Sequence, residues 1–517
     1  KRIGSMDRLV TLFVILPLAV AFLIPVVGRF VDGFQKISAS LIFFLLSVLA
    51  IYFVFDGDTQ VREYQIGGWE PVDGIPIAIY FVFDGLTVFM LAIINPIAFL
   101  SAFYSISYMK RFTAENNFYS LLALMVGGMN GVVLTGDLFN LFVFLEIAVI
   151  ASYALVAFGF ENYELEASFK YQVLGGIASI LILFGIGLIY WRTKTLNFAD
   201  VSGILAGTDR DAFLVFTHII LIAGFGLKAA LIPFHAWLPD AHSSAPSPIS
   251  AMLSGVLIKA IGIYCIIRLF FNMFSISHEV AISLTVLGAL SMVLGVFLAV
   301  GQWDIKRLLA YHSISQMGYV VIGMGMGMII LTNGGERATA ALAISGGLFH
   351  LMNHAVFKGL LFLNAGAIEY GTGTRELNEM GGLSEHMPLT YSTSLSASMA
   401  ISGIPPFNGF FSKLIIILAA VKGKFYFLAF LAVLVSIITL ASFLKFQKYS
   451  FFNKVNKNDA GKIKEVPLYM CVSMVILGVM CLVLSLLIFP GLREIVLDPA
   501  VESILNVKEI STTVTDI

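Results

Sequence analysis

From one end to the other, the chain alternates between apolar runs of about twenty residues and short polar breaks. An α-helix rises 1.5 Å per residue, so about twenty apolar residues span the roughly 30 Å hydrocarbon core of a bilayer. Fourteen such runs lie at approximately 9–27, 38–55, 86–108, 118–134, 138–158, 168–190, 212–238, 247–271, 279–300, 308–331, 339–367, 388–419, 425–447 and 466–489. Hydrocarbon offers no partner for a free N–H or C=O, and segments of this length satisfy their own backbone as helices. Composition agrees. Of 517 residues, 59% are hydrophobic and 12% charged, against about 25% charged in soluble chains, and the mean hydropathy is +0.93. The expected fold is an all-α polytopic membrane protein with about 14 transmembrane helices.

The same composition excludes several functions. A net charge of −1 gives no basic surface for nucleic acid. Cys265, Cys471 and Cys481 lie in apolar segments without a CxxC pair or metal-ligand spacing, and read as small core or lipid-facing residues. No Gly-rich phosphate loop stands in a soluble context, so no cofactor is expected in this chain. The first run follows Lys1, Arg2 and Arg8 and contains Ala19-Val20-Ala21, as a signal peptide would. It stays apolar through 22–27, beyond that cleavage point, and reads as a first membrane helix.

Two connections exceed the rest. Residues 56–80 are acidic and Gly-rich, with Trp69 and an apolar stretch at 75–83 suited to a small surface hairpin. Residues 445–465 carry Lys445, Lys448, Lys454, Lys457, Lys462 and Lys464. Under the positive-inside bias this loop is cytoplasmic, and an even helix count then puts both termini outside, with Arg2 and Arg8 pulling the other way.

Proline interrupts two runs. Pro233 follows Lys228 by five residues in the seventh, and Pro405-Pro406 precede Lys413 in the twelfth. Proline removes a backbone donor and clashes with the preceding turn. Broken membrane helices persist where the freed groups face protein or water, as at ion sites. The breaks are five helices apart, and five is odd. A repeat of helices 4–8 (118–271) and 9–13 (279–447) would therefore be inverted across the membrane. Residues 1–117 then hold helices 1–3 with the first long loop, and 448–517 hold the charged loop, helix 14 and a tail.

Ionisable residues inside the apolar runs are the functional signal. An ionised group at bilayer depth costs roughly 2.5–3.5 kcal/mol. Glu146, Lys228, Lys259, Lys358 and Lys413 together would cost over about 10 kcal/mol without compensation. Glu146 lies nine residues beyond Asp137, about 14 Å along its helix, and Lys259 eleven beyond Pro248, about 16 Å. Both are near mid-membrane. His350, His354 and Lys358, spaced four and four, share one helix face. Groups from at least five helices at similar depth suit a lateral file for protons or small cations. Each has a plainer reading. Glu146 and Lys228 would pair to fix packing, Lys259 and Lys413 would snorkel, and Lys358 would be structural. The two histidines would be ordinary polar packing or, with no third ligand nearby, a poor metal site. His235 and His242 read as surface or mouth residues, and Asp304, Lys306 and Arg307 as an interfacial charged patch. A lysine beside a carboxylate holds its proton, and a lysine parted from it becomes a donor. Histidine near neutrality relays.

These residues sit in motifs that resemble a known family. Asp137-Leu-Phe-Asn-Leu-Phe-Val-Phe-Leu-Glu146, Gly226-Leu-Lys228 with Pro233-Phe-His235-Ala-Trp237-Leu-Pro239-Asp240-Ala-His242, and Asp304-Ile-Lys-Arg-Leu-Leu-Ala-Tyr-His312-Ser-Ile-Ser-Gln316-Met-Gly318 are three of them. His350-Leu-Met-Asn-His354-Ala-Val-Phe-Lys358 and Gly403-Ile-Pro-Pro-Phe-Asn-Gly-Phe-Phe-Ser-Lys413 complete the set. Together they look like the antiporter-like subunits of respiratory complex I and of Mrp-type Na+/H+ antiporters. The D subunit of Mrp and its H-subunit counterpart in membrane-bound hydrogenases are the most similar. The resemblance implies fourteen helices in two inverted five-helix units, and helix breaks at Pro233, Pro405 and Pro406. It implies Glu146 and Lys228 as a coupling pair, Lys259 as the connecting residue, His350, His354 and Lys358 on the central axis, and Lys413 as the terminal proton site. It further implies a prokaryotic plasma membrane, other membrane subunits and lipid as partners, and protons as cargo, with Na+ left open. Redox chemistry, if any, would belong to partner chains. The rival readings are a proton-pumping subunit of complex I proper and a non-conducting membrane scaffold.

Overall fold

A computed structural model describes residues 7–56, 61–66, 79–159, 161–207, 211–274, 276–453 and 463–506. The apolar runs all fall on helices. These are α1 (Leu12–Val27), α2 (Phe34–Asp56), α3 (Gly85–Tyr108), α4 (Glu115–Leu134), α5 (Leu138–Val156), α6 (Asn162–Thr193) and α7 (Ala212–Lys228). There follow α8 (Ser247–Met273), α9 (His278–Val300), α10 (Ile305–Thr332), α11 (Arg337–Thr372), α12 (Pro388–Ser402, resumed as Asn408–Lys422), α13 (Tyr426–Phe452) and α14 (Leu468–Ile488). Among the described residues, 11 helices are long and apolar enough to cross a membrane; α1, α7 and the two pieces of α12 are shorter. The chain is a multi-pass membrane protein.

The first helix is tied into the bundle. The Asn130 side chain of α4 donates to the Phe13 carbonyl at 2.9 Å, and Ser120 to the Ala21 carbonyl at 2.6 Å. The expected hairpin forms between Arg62–Ile66 and Ile79–Phe83, antiparallel with Arg62 opposite Phe83. Residues 75–78 of the apolar stretch at 75–83, and Trp69, lie outside the described residues. Of the lysine-rich segment, Lys445 and Lys448 belong to α13, whereas Lys454, Lys457 and Lys462 lie outside the described residues.

Both proline breaks free backbone groups, and the protein satisfies them. The Leu227 carbonyl accepts the Trp237 indole N–H at 2.9 Å, and the Ile232 N–H donates to Ser291 Oγ at 2.9 Å. Trp237 itself stacks on Tyr171 of α6, centroids 4.3 Å apart. In α12 the Ile401 carbonyl accepts Lys413 Nζ at 2.7 Å. Orphaned backbone groups at this depth would otherwise cost several kcal/mol each.

The helix sets α4–α8 and α9–α13 repeat one local construction. Asp137 caps α5, accepting from the Phe139 and Asn140 N–H groups, and Asp304 caps α10, accepting from the Arg307 N–H. α6 and α11 both end in a left-handed residue, Lys194 at φ 60° and Gly373 at φ 77°. Thr193 then donates to the Thr195 carbonyl at 3.0 Å, as Thr372 does to Thr374 at 3.2 Å. The chain next pairs with the start of the preceding helix. Leu138 N–H meets the Leu196 carbonyl at 2.9 Å in one set, and Ile305 N–H meets the Arg375 carbonyl at 3.1 Å in the other. The last helix of each set carries a π turn, Arg268–Met273 and Lys448–Phe452.

Candidate functional site: a buried file of amines, imidazoles and hydroxyls

The file begins on α5. Glu146 Oε1 lies 3.6 Å from Lys228 Nζ, and the carboxylate keeps 25% of its side chain exposed while the lysine is buried. Ser179 of α6 stands between them, donating to Glu146 and accepting from Lys228 at 2.9 Å. The Gly175 carbonyl, one turn away, takes another Lys228 proton at 3.0 Å. An ammonium has three N–H donors. Here the hydroxyl and the carbonyl accept two of them, and the Glu146 carboxylate stands beside the amine at ion-pair distance.

α7 and α8 then approach at backbone distance. A β-carbon added at Gly262 would lie 2.7 Å from Ala229 Cα, so only glycine permits the contact beside Lys228 and Lys259. Lys259 itself opens a π turn, Lys259–Ile263, and the preceding one spans Leu253–Leu257. The loosened hydrogen-bond ladder leaves the Ser254 carbonyl to accept Lys259 Nζ at 2.6 Å. One turn back, a β-carbon at Gly255 would come within 3.2 Å of the Ala355 carbonyl, which brings α8 against α11 next to His354.

On α11 the sequence-predicted stripe is buried throughout. His350 bonds Ser412 Oγ at 3.0 Å through Nδ1 and Gln316 Oε1 at 3.2 Å through Nε2. Neither ring nitrogen of His354 has a hydrogen-bond partner among the described residues. Lys358 Nζ donates to the Leu309 carbonyl of α10 at 2.5 Å. At the far end Lys413, beside Ser412, reaches the Ile401 carbonyl and lies 5.0 Å from the centre of the Tyr319 ring. A cleft of about 230 Å³ between α12 and α13, lined by Ile404, Phe410, Ser436 and Leu440, opens onto Lys413.

Glu146, Lys228, Lys259, His350, His354, Lys358 and Lys413 thus come from α5, α7, α8, α11 and α12. Lys259 and Lys413 do not snorkel: they are 0% and 3% exposed and end on internal carbonyls. Among the described residues Lys259, Lys358 and Lys413 each have one acceptor, which leaves most of an ammonium's donors to be met by water or the amine to be neutral. Two expectations are corrected. His242 is not at a mouth: it is fully buried against Trp237 and Phe362, because the chain after the α7 break turns inward as Trp237–Ser244. Lys306 is not on the interfacial patch with Arg307. It is 2% exposed and points inward to the Ala245 carbonyl at 3.0 Å, since the first turn of α10 packs on that same inward-turned segment. His235 is half-buried. Ser179, Gly175, Ser412 and Tyr319 carry no mark of their own in the sequence, and Gln316 stands in a motif without an assigned role. A lone serine in an apolar helix reads as packing, and only its distant partners give it a role.

Two family models match the chain: NADH:quinone oxidoreductase/Mrp antiporter, transmembrane, over residues 135–439, and NADH-ubiquinone oxidoreductase (complex I), chain 5 N-terminus, over 69–119. The chain is 34% identical to the N subunit of the NADH-quinone oxidoreductase of Desulforudis audaxviator, over 81% of each protein. It is also 34% identical to the D subunit of the Na(+)/H(+) antiporter of Alkalihalophilus pseudofirmus, over 80% of this chain and 82% of that one. Among solved structures it resembles a chain of the Mrp complex from Dietzia sp. (TM-score 0.89, 26% identity, 99% and 100% coverage). It resembles as well a chain of the membrane-bound sulfane sulfur reductase, an archaeal respiratory complex (0.85, 27%, 98% and 99%). Motifs, helix order and both kinds of likeness agree: this chain belongs to the family of transmembrane subunits shared by NADH:quinone oxidoreductases and Mrp antiporters.

Proposed function

We propose that this chain carries protons along the file from Glu146 to Lys413, as one membrane subunit of an Mrp-type antiporter or of a related redox-driven complex. The observation that carries the reading is the contrast within the file. One lysine, Lys228, faces a carboxylate as well as a hydroxyl and a carbonyl, and three buried lysines have a single acceptor each among the described residues. A proton held at Lys228 by Glu146 is released when that pair opens. It passes to Lys259 across the α7–α8 contact, then by His354 and His350 to Lys413. Both ends face outward, Glu146 through its exposed edge and Lys413 through the cleft between α12 and α13. Neighbouring membrane subunits would exchange charge there. The two helix sets, α4–α8 and α9–α13, act as inverted units whose breaks at Pro233 and Pro405-Pro406 let the two ends move. The 34% identity to an N subunit also supports a place in complex I proper. The subunits that co-purify with the chain decide between these assemblies: iron–sulfur or nickel proteins indicate a redox complex.

Glu146→Gln and Lys228→Ala in the assembled complex, reconstituted in vesicles, test the reading. Each is expected to lower proton transport at least about tenfold, a barrier increase of about 1.4 kcal/mol, while the complex still assembles. Transport near wild-type in either assembled variant would leave a scaffold role instead.

A further inference from the structure

The molecule contains a second pair built like Glu146–Lys228. Glu369, near the end of α11, keeps 26% of its side chain exposed and lies 3.4 Å from Lys306 Nζ, which is 2% exposed. The first pair has the same construction: 25% and 1% exposure at 3.6 Å. In each, a carboxylate at the edge reaches an amine held inside by a backbone carbonyl, Ala245 for Lys306 and Gly175 for Lys228. From the geometry we infer that Glu369 and Lys306 form a gated inlet for protons, leading through His242 to Lys358 and so into the middle of the file.

The residues behind the pair make that route. Glu369 follows Lys358 by eleven residues on α11, close to three turns, so both lie on one face about 16 Å apart. His242 belongs to the short helix whose end supplies the Ala245 carbonyl to Lys306. Its ring is completely buried and neither nitrogen has a hydrogen-bond partner among the described residues. A buried imidazole in that condition needs a polar partner, and a water would supply one. His242 packs edge-on to Phe362, centroids 5.7 Å apart, and Lys358 Nζ lies 5.9 Å from the centre of that same ring. Lys358 in turn is anchored on Leu309, one turn beyond Lys306 along α10.

The charges around the pair are named by the same geometry. Arg375 approaches Glu369 at 3.9 Å and Asp304 at 3.3 Å, and donates to the Ser243 carbonyl at 2.5 Å. Arg307 points the other way, to Asp240 at 2.6 Å, which also meets Lys170 at 3.1 Å. Arg111 holds the Tyr370 carbonyl at 2.7 Å. Arg375 and Asp304 keep the outer mouth closed by ion pairing. Lys306 is the inward-pointing amine of the cluster. A proton arriving on Glu369 weakens its hold on Lys306, and Lys306 then donates inward toward His242.

The inference rests on the proton-carrying reading above, and the test separates the two. Glu369→Gln, Glu369→Asp, Lys306→Arg and, as reference, Glu146→Gln are made in the whole complex and assayed for proton transport in vesicles across a pH series. Glu369→Gln is expected to slow transport about tenfold or more. Glu369→Asp is expected to retain part of it with a displaced pH profile, which a merely structural ion pair would not move. Lys306→Arg keeps the charge and the pairing but holds its proton permanently, and it should be as slow as Glu369→Gln. Transport within about twofold of wild-type in assembled Lys306→Arg overturns the inlet, whatever Glu369→Gln does, including failure to assemble. If Glu146→Gln is slow while Lys306→Arg is normal, the file stands and only the inlet falls. If Glu146→Gln is normal, the underlying reading falls with it.

Discussion

Lys228 and Lys413 both stand beside a broken helix, yet their charges are met in opposite ways. Lys228 ends α7, just before the Pro233 break, and is surrounded by Glu146, Ser179 and the Gly175 carbonyl. Lys413 lies in the second piece of α12 and has the Ile401 carbonyl and the face of Tyr319. A cation over an aromatic face gains about 0.5–2 kcal/mol, less than a desolvated ammonium needs. The same backbone plan therefore sets one amine beside a carboxylate and leaves the other with a carbonyl and a ring face. The direction of transfer would come from this inequality in side chains, since the turns of the two helix sets are nearly interchangeable.

The comparison breaks first at Lys413. Lys413→Ala removes the group proposed to release the proton, and transport by the assembled complex should fall about tenfold or more. Lys413→Glu should keep part of the rate, because a titratable group remains at the head of the α12–α13 cleft. Equal and normal rates for both would show that the second unit has no terminal site. A smaller effect sharpens the scaffold half of the comparison. Gly373 and Lys194 occupy the same left-handed turn, and side chains are strained there. Gly373→Ala should cost about 1 kcal/mol and lower the melting temperature of the purified complex, whereas Lys194→Gly should be neutral or slightly stabilising. Opposite signs would mean that the two turns are not equivalent.

Much of this was legible in the sequence, for a definite reason. In hydrocarbon the cost of an unpaired backbone group is so high that an apolar run of the right length has few alternatives to helix, and the runs at 118–134 and 279–300 fall on α4 and α9 almost residue for residue. Proline marked both breaks. Charged residues in such runs stand out because they are costly, which is why Glu146, Lys228, Lys259 and Lys413 could be singled out. Direction was not legible. Lys306 follows a capping aspartate and precedes Arg307, so it reads as surface, and only the inward-turned segment Trp237–Ser244 makes it buried. His242 was misplaced for the same reason. Ser179 gained its place from partners 33 and 49 residues away, and no spacing rule reaches that far. The π turns around Lys259 have no sequence mark of their own.

The central claim is that Glu146 and Lys413 are the ends of one hydrated polar path. The most direct test is a map of the assembled complex at a resolution that shows ordered water. Water should lie within hydrogen-bonding distance of Lys228, Lys259, His354 and Lys413, because each amine or imidazole left dry would cost several kcal/mol. All four packed dry against aliphatic side chains would contradict the account and leave the buried charges as elements of packing.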